Sequence, residues 1–283
     1  MQSVVITGVS TGIGHGATRV LLDHGFRVFG SVRKQDDAER LSKEFGEHFT
    51  PLLFDVTDRP AIDAAASQVR DALGGQRLSG LVNNAGIAAT GPLLEMDPEE
   101  FRKALDINLM GPVQVTQAFG PLLGTDPSLA GKPGRIVNIS SVAGVRVLPF
   151  LGAYAASKFG LEGYSQGLRR ELLLFGIDVI VIGPGPVKTA IWDKAEEIDT
   201  ARYGDSPYLE IMQKFQRMFI AAGRKGYSQE RLGLLIHKAL TTERPRARYA
   251  ASNSSLPEKL LMKFAPTRVV DRIIGKNVGL LPK

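Results

Sequence analysis

The sequence predicts an α/β fold, with about seven parallel strands in one doubly wound sheet and helices on both faces. Short runs rich in β-branched residues alternate with stretches of helical pattern, which is typical of a parallel sheet. Several runs are apolar at consecutive positions, as expected of strands that are covered on both sides. The predicted strands span 4–7, 27–32, 50–55, 79–84, 135–140, 178–183 and 247–251.

Capping residues mark the ends of the predicted helices. Asp58 and Asp97 each precede a segment with proline in its first turn, which predicts two helix N-caps. Gly25, Gly74 and Gly176 follow helical stretches and predict their C-terminal ends. The predicted helices span 12–24, 36–45, 59–73, 98–123, 153–175 and 228–242.

The alternation changes after residue 184. Residues 185–228 are long and mixed in character, and we interpret them as a helical substrate-loop excursion inserted after the sixth strand. Residues 252–283 form a basic, amphipathic C-terminal tail. The whole chain, 1–283, is therefore predicted to be a single domain.

Composition excludes several classes of function. The 283 residues carry a net charge of +6 and no cysteine, which excludes disulfides, thiolate metal sites and cysteine nucleophiles. The four histidines have no metal-ligand spacing, so no metal site is predicted. No apolar run is long enough for a membrane span, no signal peptide is readable, and no basic run with interleaved aromatics indicates nucleic acid. We expect a cytoplasmic protein.

Three glycines, Gly8, Gly12 and Gly14, stand where the first predicted strand turns into the first helix. A residue without a Cβ lets the backbone approach a pyrophosphate closely, and the N-terminus of a helix attracts phosphate. The turn therefore predicts a dinucleotide-binding domain of the Rossmann type. Its spacing is Thr-Gly-x-x-x-Gly-Ile-Gly, which differs from G-x-G-x-x-G.

Three further motifs follow this turn in order: "NNAG" at 83–86, "NISS" at 138–141 and "YAASK" at 154–158. Together they resemble the short-chain dehydrogenase/reductase superfamily over about residues 3–190, and most closely its hydroxysteroid and retinol dehydrogenase-like members. The resemblance implies a nicotinamide-dependent oxidoreductase that interconverts a ketone or aldehyde and its alcohol. It also implies a homodimer or homotetramer, with which the small residues of 152–160 are consistent.

The residues after the second predicted strand decide between the two nicotinamide cofactors, because they meet the adenosine ribose. Val32 stands where NAD-dependent relatives carry an aspartate, and Arg33 and Lys34 follow it directly. A guanidinium binds a phosphate through parallel hydrogen bonds, so we predict NADP(H). NAD(H) stays an alternative, in which Arg33 stacks on the adenine or Asp36 or Asp37 reaches the ribose.

The resemblance assigns further contacts with the cofactor. The glycine turn would hold the phosphates. The segments after the third and fourth strands would hold the adenosine, and the segment after the sixth strand would hold the nicotinamide. The predicted cofactor-binding residues are Gly8, Ser10, Thr11, Gly12, Ile13, Gly14, Arg33, Lys34, Asp55, Val56, Asn84, Ala85, Gly86, Tyr154, Lys158, Pro184, Gly185, Val187 and Thr189.

Tyr154 and Lys158 share one helix face because they are four positions apart. A phenol with a pKa of about 10 needs a nearby positive charge to become phenolate near neutrality, and Lys158 would supply it. The resemblance makes Tyr154 the acid/base, Ser141 the group that binds the substrate oxygen, and Asn108 the holder of a water. Ser140 is a competitor for the serine role, with its side chain pointing the opposite way.

Apolar residues before the tyrosine and in the excursion predict a hydrophobic ketone, aldehyde or alcohol as the substrate. Core packing explains most of them equally well. These residues are Leu148, Phe150, Ile191, Trp192, Tyr208, Met212, Phe215 and Met218.

The sequence leaves open two alternative functions, a dinucleotide-sensing regulator and a sugar-nucleotide epimerase, and a possible membrane-docking role for its tail. A non-catalytic dinucleotide-sensing regulator would keep the fold but would not need Asn108, Ser141, Tyr154 and Lys158. A sugar-nucleotide epimerase also uses Tyr-x-x-x-Lys, but with a different glycine spacing and a longer C-terminal domain. The basic tail, 252–283, could dock on a membrane surface, although packing near the substrate loop or in a subunit interface is favoured.

Overall fold

The structure, a computed structural model, describes residues 1–189, 200–251 and 265–282. Seven strands of this part form one sheet, in which all neighbouring strands are parallel. They are β1 (Ser3–Ile6), β2 (Arg27–Val32), β3 (Phe49–Leu53), β4 (Gly80–Asn83), β5 (Arg135–Ile139), β6 (Asp178–Pro184) and β7 (Arg248–Ala251). The strand order is β3-β2-β1-β4-β5-β6-β7, so the predicted doubly wound α/β fold is confirmed.

Helices connect the strands, and the two predicted N-caps are present. The Asp58 carboxylate accepts a hydrogen bond from the Ala61 N–H at 3.1 Å, and Asp97 accepts one from Glu99 at 2.9 Å. Gly74 ends a helix in the left-handed region at φ 55°. The helices are α1 (Gly12–Asp23), α2 (Gln35–Phe45), α3 (Arg59–Leu73), α4 (Pro98–Leu105), α5 (Gly111–Gly120), α6 (Gly152–Glu171), α7 (Leu209–Arg224), α8 (Gln229–Thr241) and α9 (Thr267–Val278).

The single helix predicted over 98–123 is wrong, because π-helical turns interrupt this segment. One such turn, Asp106–Met110, separates α4 from α5, and a second, Pro121–Thr125, follows α5. Pro112 explains the first interruption, since it lacks the N–H that an α-helix would direct at the Asn108 carbonyl. The interruption therefore lies at a residue that the sequence singled out as functional.

Apolar side chains cover both faces of the sheet. One buried cluster joins α1 and α8 to the sheet through residues such as Leu21 and Leu232, and a second joins α3 and α5 to the opposite face. A third, smaller cluster around Phe150 and Phe215 joins the start of α6 to the excursion after β6. The assignment of 1–283 to one domain stays a prediction.

A network of buried polar side chains ties the central strands to two helices. Asn83 and Asn138 face each other in the register of β4 and β5, and the Asn83 amide donates to the Asn138 amide oxygen at 2.8 Å. The Asn83 amide also donates to the Thr116 hydroxyl on α5 at 3.1 Å, and the Asn138 amide donates to the Ser165 hydroxyl on α6 at 2.8 Å. The network fixes α5 and α6 against the carboxyl ends of β4 and β5.

Asn138→Ala should lower the free energy of unfolding by roughly 1–3 kcal/mol, because it leaves buried groups on Asn83 and Ser165 unpaired. Urea denaturation followed by circular dichroism measures the change. Asn277→Ala, the same substitution at an exposed helix position, is the matched control and should stay within about 0.5 kcal/mol of the wild type. Equal effects of the two variants would contradict a stabilising role for the network.

Candidate active site

The glycine turn between β1 and α1 is closed tightly against the segment after β4. Gly8 and Gly12 have φ values of 69° and 67°, which favour glycine. A Cβ placed on Gly14 would lie 2.3 Å from the Gly8 carbonyl oxygen and 2.5 Å from the Asn84 amide nitrogen. A Cβ on Gly8 would lie 3.0 Å from the Ala85 Cα. The turn can therefore present its backbone to a ligand only while these positions lack side chains.

Hydrogen bonds hold the turn in this position. The Thr7 hydroxyl accepts bonds from the backbone N–H groups of Asn84 and Ala85 at 2.9 and 3.0 Å. The Asn84 amide donates to the carbonyls of Thr7 and Gly8 at 2.8 and 3.0 Å, and the Gly8 N–H donates to the Ser31 hydroxyl at 3.0 Å. Sequence reasoning missed Thr7 and Ser31, although Thr7 is the first residue of the glycine motif.

The segment after β6 approaches the same turn. A Cβ on Gly12 would lie 3.4 Å from the Thr189 methyl group. Pro184 ends β6, and the Gly185 N–H donates to the Ala251 carbonyl at 2.6 Å. Val187 is buried and forms a parallel bridge with Tyr227. The predicted residues Ser10, Thr11 and Ile13 complete the turn and the start of α1.

Two cations follow the end of β2. Val32 is buried, whereas the side chains of Arg33 and Lys34 are exposed, Arg33 to 69%. The Arg33 guanidinium lies 3.6 Å from the Asp55 carboxylate. Burial raises the pKa of Asp55, but hydrogen bonds from Thr57 and the charge of Arg33 outweigh this effect and lower the pKa below its ordinary value. Such an exposed ion pair contributes little stability, so Arg33 is free to exchange Asp55 for another anion.

Two further residues of this region, Val56 and Arg40, make contacts within the chain that hold the structure together. Val56 is buried against α5, where a Cβ on Gly111 would lie 2.8 Å from a Val56 methyl group. Arg40, which sequence reasoning missed, donates to the Ser10 carbonyl at 2.9 Å and to Asp37 at 2.9 Å. Arg40 therefore holds the glycine turn from the side of α2.

The structure brings Ser141 and Tyr154 together. Ser141 follows β5, and its hydroxyl accepts a hydrogen bond from the Ala143 N–H at 3.0 Å. The Ser141 hydroxyl lies close enough to Tyr154 to oppose the rise in the pKa of that tyrosine. The Ser140 hydroxyl is buried without a partner among the described residues, on the side of Gly144. Of the two candidate serines, Ser141 is the one that contacts the tyrosine.

Lys158 is buried behind Tyr154, and its ammonium nitrogen donates to the Ile139 carbonyl at 2.9 Å. Burial lowers the pKa of Lys158 to about 8, and the nearby Glu162 carboxylate opposes that shift. The lysine nitrogen lies 5.9 Å from the centre of the Tyr154 ring.

The pKa of Tyr154 differs in direction from the sequence-based expectation. Burial raises this pKa, and the hydrogen bond with Ser141 opposes the shift without reversing it. Burial outweighs any effect of Lys158 in this structure, because the lysine nitrogen donates to the Ile139 carbonyl and lies 5.9 Å from the centre of the Tyr154 ring. Stabilisation of a Tyr154 phenolate by Lys158 stays a prediction. Tyr154 therefore holds its proton, which is the form required of a proton donor.

Asn108 joins the loop after β4 to α6. It is fully buried, and its amide oxygen accepts a bond from the Ile87 N–H at 2.8 Å. Its amide nitrogen donates to the Ile87 carbonyl and to the Ser157 hydroxyl, both at 2.9 Å. A Cβ on Gly86 would lie 2.9 Å from the Asn108 amide oxygen and 3.6 Å from the Lys158 nitrogen. Asn108, Gly86 and Lys158 are thus direct neighbours.

Most of the described apolar residues predicted to contact substrate form one cluster beside Tyr154. Phe150 has a φ of 64° and is the non-glycine residue with a positive φ in the described chain. Its ring centre lies 5.6 Å from that of Phe215 and 6.1 Å from that of Tyr208. The cluster includes Leu148, Phe150, Leu151, Tyr203, Tyr208, Met212 and Phe215.

Met218 is the described lining residue that does not belong to this cluster. It is 52% exposed on α7. Ile191 and Trp192 lie outside the described residues.

The excursion is tied to α4 and the loop before it. The Arg202 guanidinium pairs with the Glu100 carboxylate and also donates to the Tyr203 hydroxyl at 2.7 Å. A Cβ on Gly91 would lie 2.6 Å from that hydroxyl, so Tyr203 covers the loop after β4. Sequence reasoning missed Arg202 and Tyr203, because their partners are distant in the chain.

Residues 1–189, 200–251 and 265–282 lack two kinds of feature, a membrane-spanning helix and a cluster of metal ligands. No helix of this part is long and apolar enough to cross a membrane. No three histidine, cysteine, aspartate or glutamate side chains of the same ranges gather where they could hold a metal ion.

Comparisons with known proteins agree with this geometry. The family model described as short chain dehydrogenase matches residues 2–199. The NADPH-dependent 3-dehydrocapnine reductase of Ornithobacterium rhinotracheale is 37% identical over 281 residues, covering 99% of both chains. Human retinol dehydrogenase 16 is 34% identical over 282 residues, covering 96% of this chain and 87% of the relative.

A solved structure supports the fold alone. A short-chain dehydrogenase from Streptomyces avermitilis superposes with a TM-score of 0.76 at 24% identity, covering 98% of this chain and 97% of the other. That identity is too low to carry information about substrate.

The lowered pKa of Lys158 predicts a pH-dependent stability. As pH rises from 7.5 to 9.5, the folded chain loses this proton before the unfolded chain does, so the unfolded state binds more protons and stability increases. Over that range the free energy of unfolding should rise by about 1–2 kcal/mol more in the wild type than in Lys158→Met. Urea titrations at both pH values measure the difference.

Lys132→Met is the control for this measurement, because Lys132 is exposed. It should keep the wild-type dependence on pH. If the stability of Lys158→Met depends on pH as that of the wild type does, Lys158 is not the group that causes this dependence.

Proposed function

This chain belongs to the short-chain dehydrogenase family, among its retinol and hydroxysteroid dehydrogenase-like members, and we propose that it is an NADP(H)-dependent oxidoreductase acting on a hydrophobic carbonyl/alcohol pair. One observation carries the proposal: Lys158 is buried beside Tyr154, with its nitrogen 5.9 Å from the centre of the tyrosine ring, and Ser141 is close enough to Tyr154 to affect its pKa. The reaction interconverts a ketone or aldehyde and its alcohol.

The chain's own residues manage the proton in this reaction. The nicotinamide, when bound, supplies a hydride to the substrate carbon or takes one from it. In the reductive direction, the Ser141 hydroxyl donates a hydrogen bond to the carbonyl oxygen, and Tyr154 gives its proton to the same oxygen as negative charge develops there. The Lys158 ammonium then stabilises the resulting phenolate. Oxidation of the alcohol reverses these steps.

Asn108 contributes to the return of the proton. Pro112 cannot donate to the Asn108 carbonyl, so this carbonyl lacks the α-helical partner that most helix carbonyls have. We assign to it a water that links Lys158 to solvent, as the sequence resemblance implied. The Asn108 side chain is fully used in holding Ile87 and Ser157.

The residues around the glycine turn fit a dinucleotide. The absence of Cβ atoms at Gly8, Gly12 and Gly14 leaves a backbone cradle at the N-terminus of α1, where phosphates are favoured. Exposed Arg33 and Lys34 favour the additional phosphate of NADP(H). A relative with 37% identity is described as NADPH-dependent, which supports the same choice. NAD(H) is the alternative.

The remaining cofactor contacts are proposed on the same basis. The adenosine would be held by the segments after β3 and β4, and the nicotinamide by the segment after β6 and by α6. These residues are Ser10, Thr11, Ile13, Asp55, Val56, Asn84, Ala85, Gly86, Tyr154, Lys158, Pro184, Gly185, Val187 and Thr189.

The apolar cluster beside Tyr154 supports a hydrophobic substrate. Phe150, Tyr208, Met212 and Phe215 pack together, and Phe150 precedes Tyr154 by four positions. Two relatives with at least 34% identity are described as a retinol dehydrogenase and a 3-dehydrocapnine reductase. We propose a substrate with an extended apolar part.

Assembly and location belong to the same proposal. We propose a cytoplasmic homodimer or homotetramer, in which half-exposed Met110 and Phe159 meet a second copy. The small residues Gly152 and Gly160 contribute less to such an interface than their size suggests, because they pack against Leu93 and Leu109 of the same chain.

Tyr154→Phe should lower turnover by about two to four orders of magnitude, because the proton donor is lost. NADPH affinity should change little. Loss of NADPH absorbance with retinal, a 3-ketosteroid and aryl ketones measures turnover, and quenching of protein fluorescence measures binding. Near-normal turnover in this variant would overturn the role of Tyr154.

Tyr164→Phe is the matched control, because Tyr164 lies on the same helix with its hydroxyl bonded to Thr116. It should keep most of the activity. A wild-type chain that binds NADPH but reduces and oxidises nothing in the panel would favour the dinucleotide-sensing regulator instead.

Arg33→Ala should weaken NADPH binding by about 10- to 100-fold, because charged hydrogen bonds to the additional phosphate are lost. NADH binding should stay close to the wild-type value. Lys43→Ala, an exposed cation on α2, is the control and should alter neither affinity. An unchanged ratio of the two affinities in Arg33→Ala would favour NAD(H).

A further inference from the structure

An ion pair between a buried carboxylate and a partly exposed guanidinium lies directly behind the proposed active site. Glu162 on α6 is 8% exposed, and Arg248 comes from the edge strand β7. The Arg248 Nε donates to both carboxylate oxygens of Glu162 at 3.1 Å, and its Nη2 lies 3.1 Å from one of them. Neither residue was singled out by the sequence motifs, because 86 positions separate them.

Arg248 also contacts the backbone of the proposed substrate-binding serine. Its Nη2 donates to the Ser141 carbonyl at 3.4 Å. The guanidinium reaches this place only because Gly183 has no side chain: a Cβ there would lie 2.3 Å from Nη2 and 3.3 Å from the same Ser141 carbonyl. Arg248 thus joins β7 and β6 to the end of β5, where Ser141 begins the next turn.

Glu162 lies one helical turn after Lys158, as Lys158 lies one turn after Tyr154, so the three side chains follow one face of α6. Among the described residues, the charged or titratable groups that face Lys158 are Tyr154 and Glu162, with Arg248 behind Glu162. The elements opposite contribute neutral groups, the Ile139 carbonyl and the Asn108 amide.

The turn after Ser141 packs on the same carboxylate. A Cβ on Gly144 would lie 3.1 Å from the Glu162 Cγ and 3.1 Å from the Lys158 carbonyl. Displacement of Glu162 would therefore disturb the turn that carries Ser141 as well as the surroundings of Lys158.

We infer that Glu162 and Arg248 are a positioning pair for the proposed reaction: Arg248 holds the Ser141 backbone, and Glu162 keeps a negative charge beside Lys158. This inference rests on the proposed function. Neither residue touches the reacting atoms, so both act through Ser141 and Lys158. Because buried charges need partners, loss of either member leaves the other uncompensated.

The two members should affect Lys158 in opposite directions. Glu162→Gln removes the negative charge that favours the ammonium, so the titration midpoint of Lys158 falls. Arg248→Met leaves that charge without its counterion, so the midpoint rises. A residue with a purely structural role would not produce shifts of opposite sign.

The experiment follows the Lys158 side chain by NMR in the full chain labelled with ¹³C at the lysine ε carbon, between pH 6 and 10. The resonance is assigned by its absence in Lys158→Met. We expect a midpoint near pH 8 in the wild type, a decrease of at least half a pH unit in Glu162→Gln, and an increase of similar size in Arg248→Met. Shifts of the same sign, or no shift in either variant, would overturn the inference.

Arg248→Lys separates charge from position. It keeps the counterion but loses the paired donors, so the midpoint should return to within about 0.3 pH units of the wild type while carbonyl reduction stays slowed by about tenfold or more. Full recovery of turnover would overturn the positioning of Ser141. If Arg248→Met does not fold, the titration midpoints of Arg248→Lys and Glu162→Gln and the turnover of Arg248→Lys test the inference.

Glu171→Gln, an exposed position on α6, and Arg244→Met, an exposed position before β7, are the matched controls. Both should keep the wild-type midpoint and turnover. The NMR titration needs no substrate, so failure of the ion-pair inference is distinguishable from failure of the oxidoreductase proposal, which the Tyr154→Phe assay tests separately.

Discussion

The hydrogen bond between the Asn83 and Asn138 side chains is the interaction on which both halves of the site depend. Asn83 is followed directly by Asn84, which holds the glycine turn through the carbonyls of Thr7 and Gly8. Asn138 lies three positions before Ser141 and is bonded to α6, which carries Tyr154 and Lys158. Because the strands are parallel, their carboxyl ends meet at one edge, and this bond together with the strand pairing holds the glycine turn and α6 at that edge.

The local patterns in the sequence were sufficient for much of the fold. All seven predicted strands agree with the observed strands within two residues at each end, because side-chain alternation and burial act over a few neighbours. The glycine turn, Ser141, Tyr154 and Lys158 were predicted as site residues for the same reason, since each belongs to a short motif. Their meeting in space follows from the parallel order of the strands.

Features that depend on distant parts of the chain were not predicted. The π-helical turn at Asp106–Met110 replaced part of an expected helix, because Pro112 affects a carbonyl four residues earlier. The Glu162–Arg248 pair and the contact of Tyr203 with the loop after β4 require packing that no local pattern encodes. The pKa of Tyr154 likewise depends on burial, which the spacing of two residues does not reveal.

Phe150 shows how backbone strain and side-chain burial oppose each other at one position. Its left-handed backbone, at φ 64°, costs about 1–2 kcal/mol for a residue with a Cβ, whereas glycine adopts it without penalty. The ring is nevertheless part of the apolar cluster beside Tyr154. Removal of a buried phenylalanine ring costs about 3–5 kcal/mol, which exceeds the strain, so selection for heat resistance would keep Phe150 in spite of its backbone conformation.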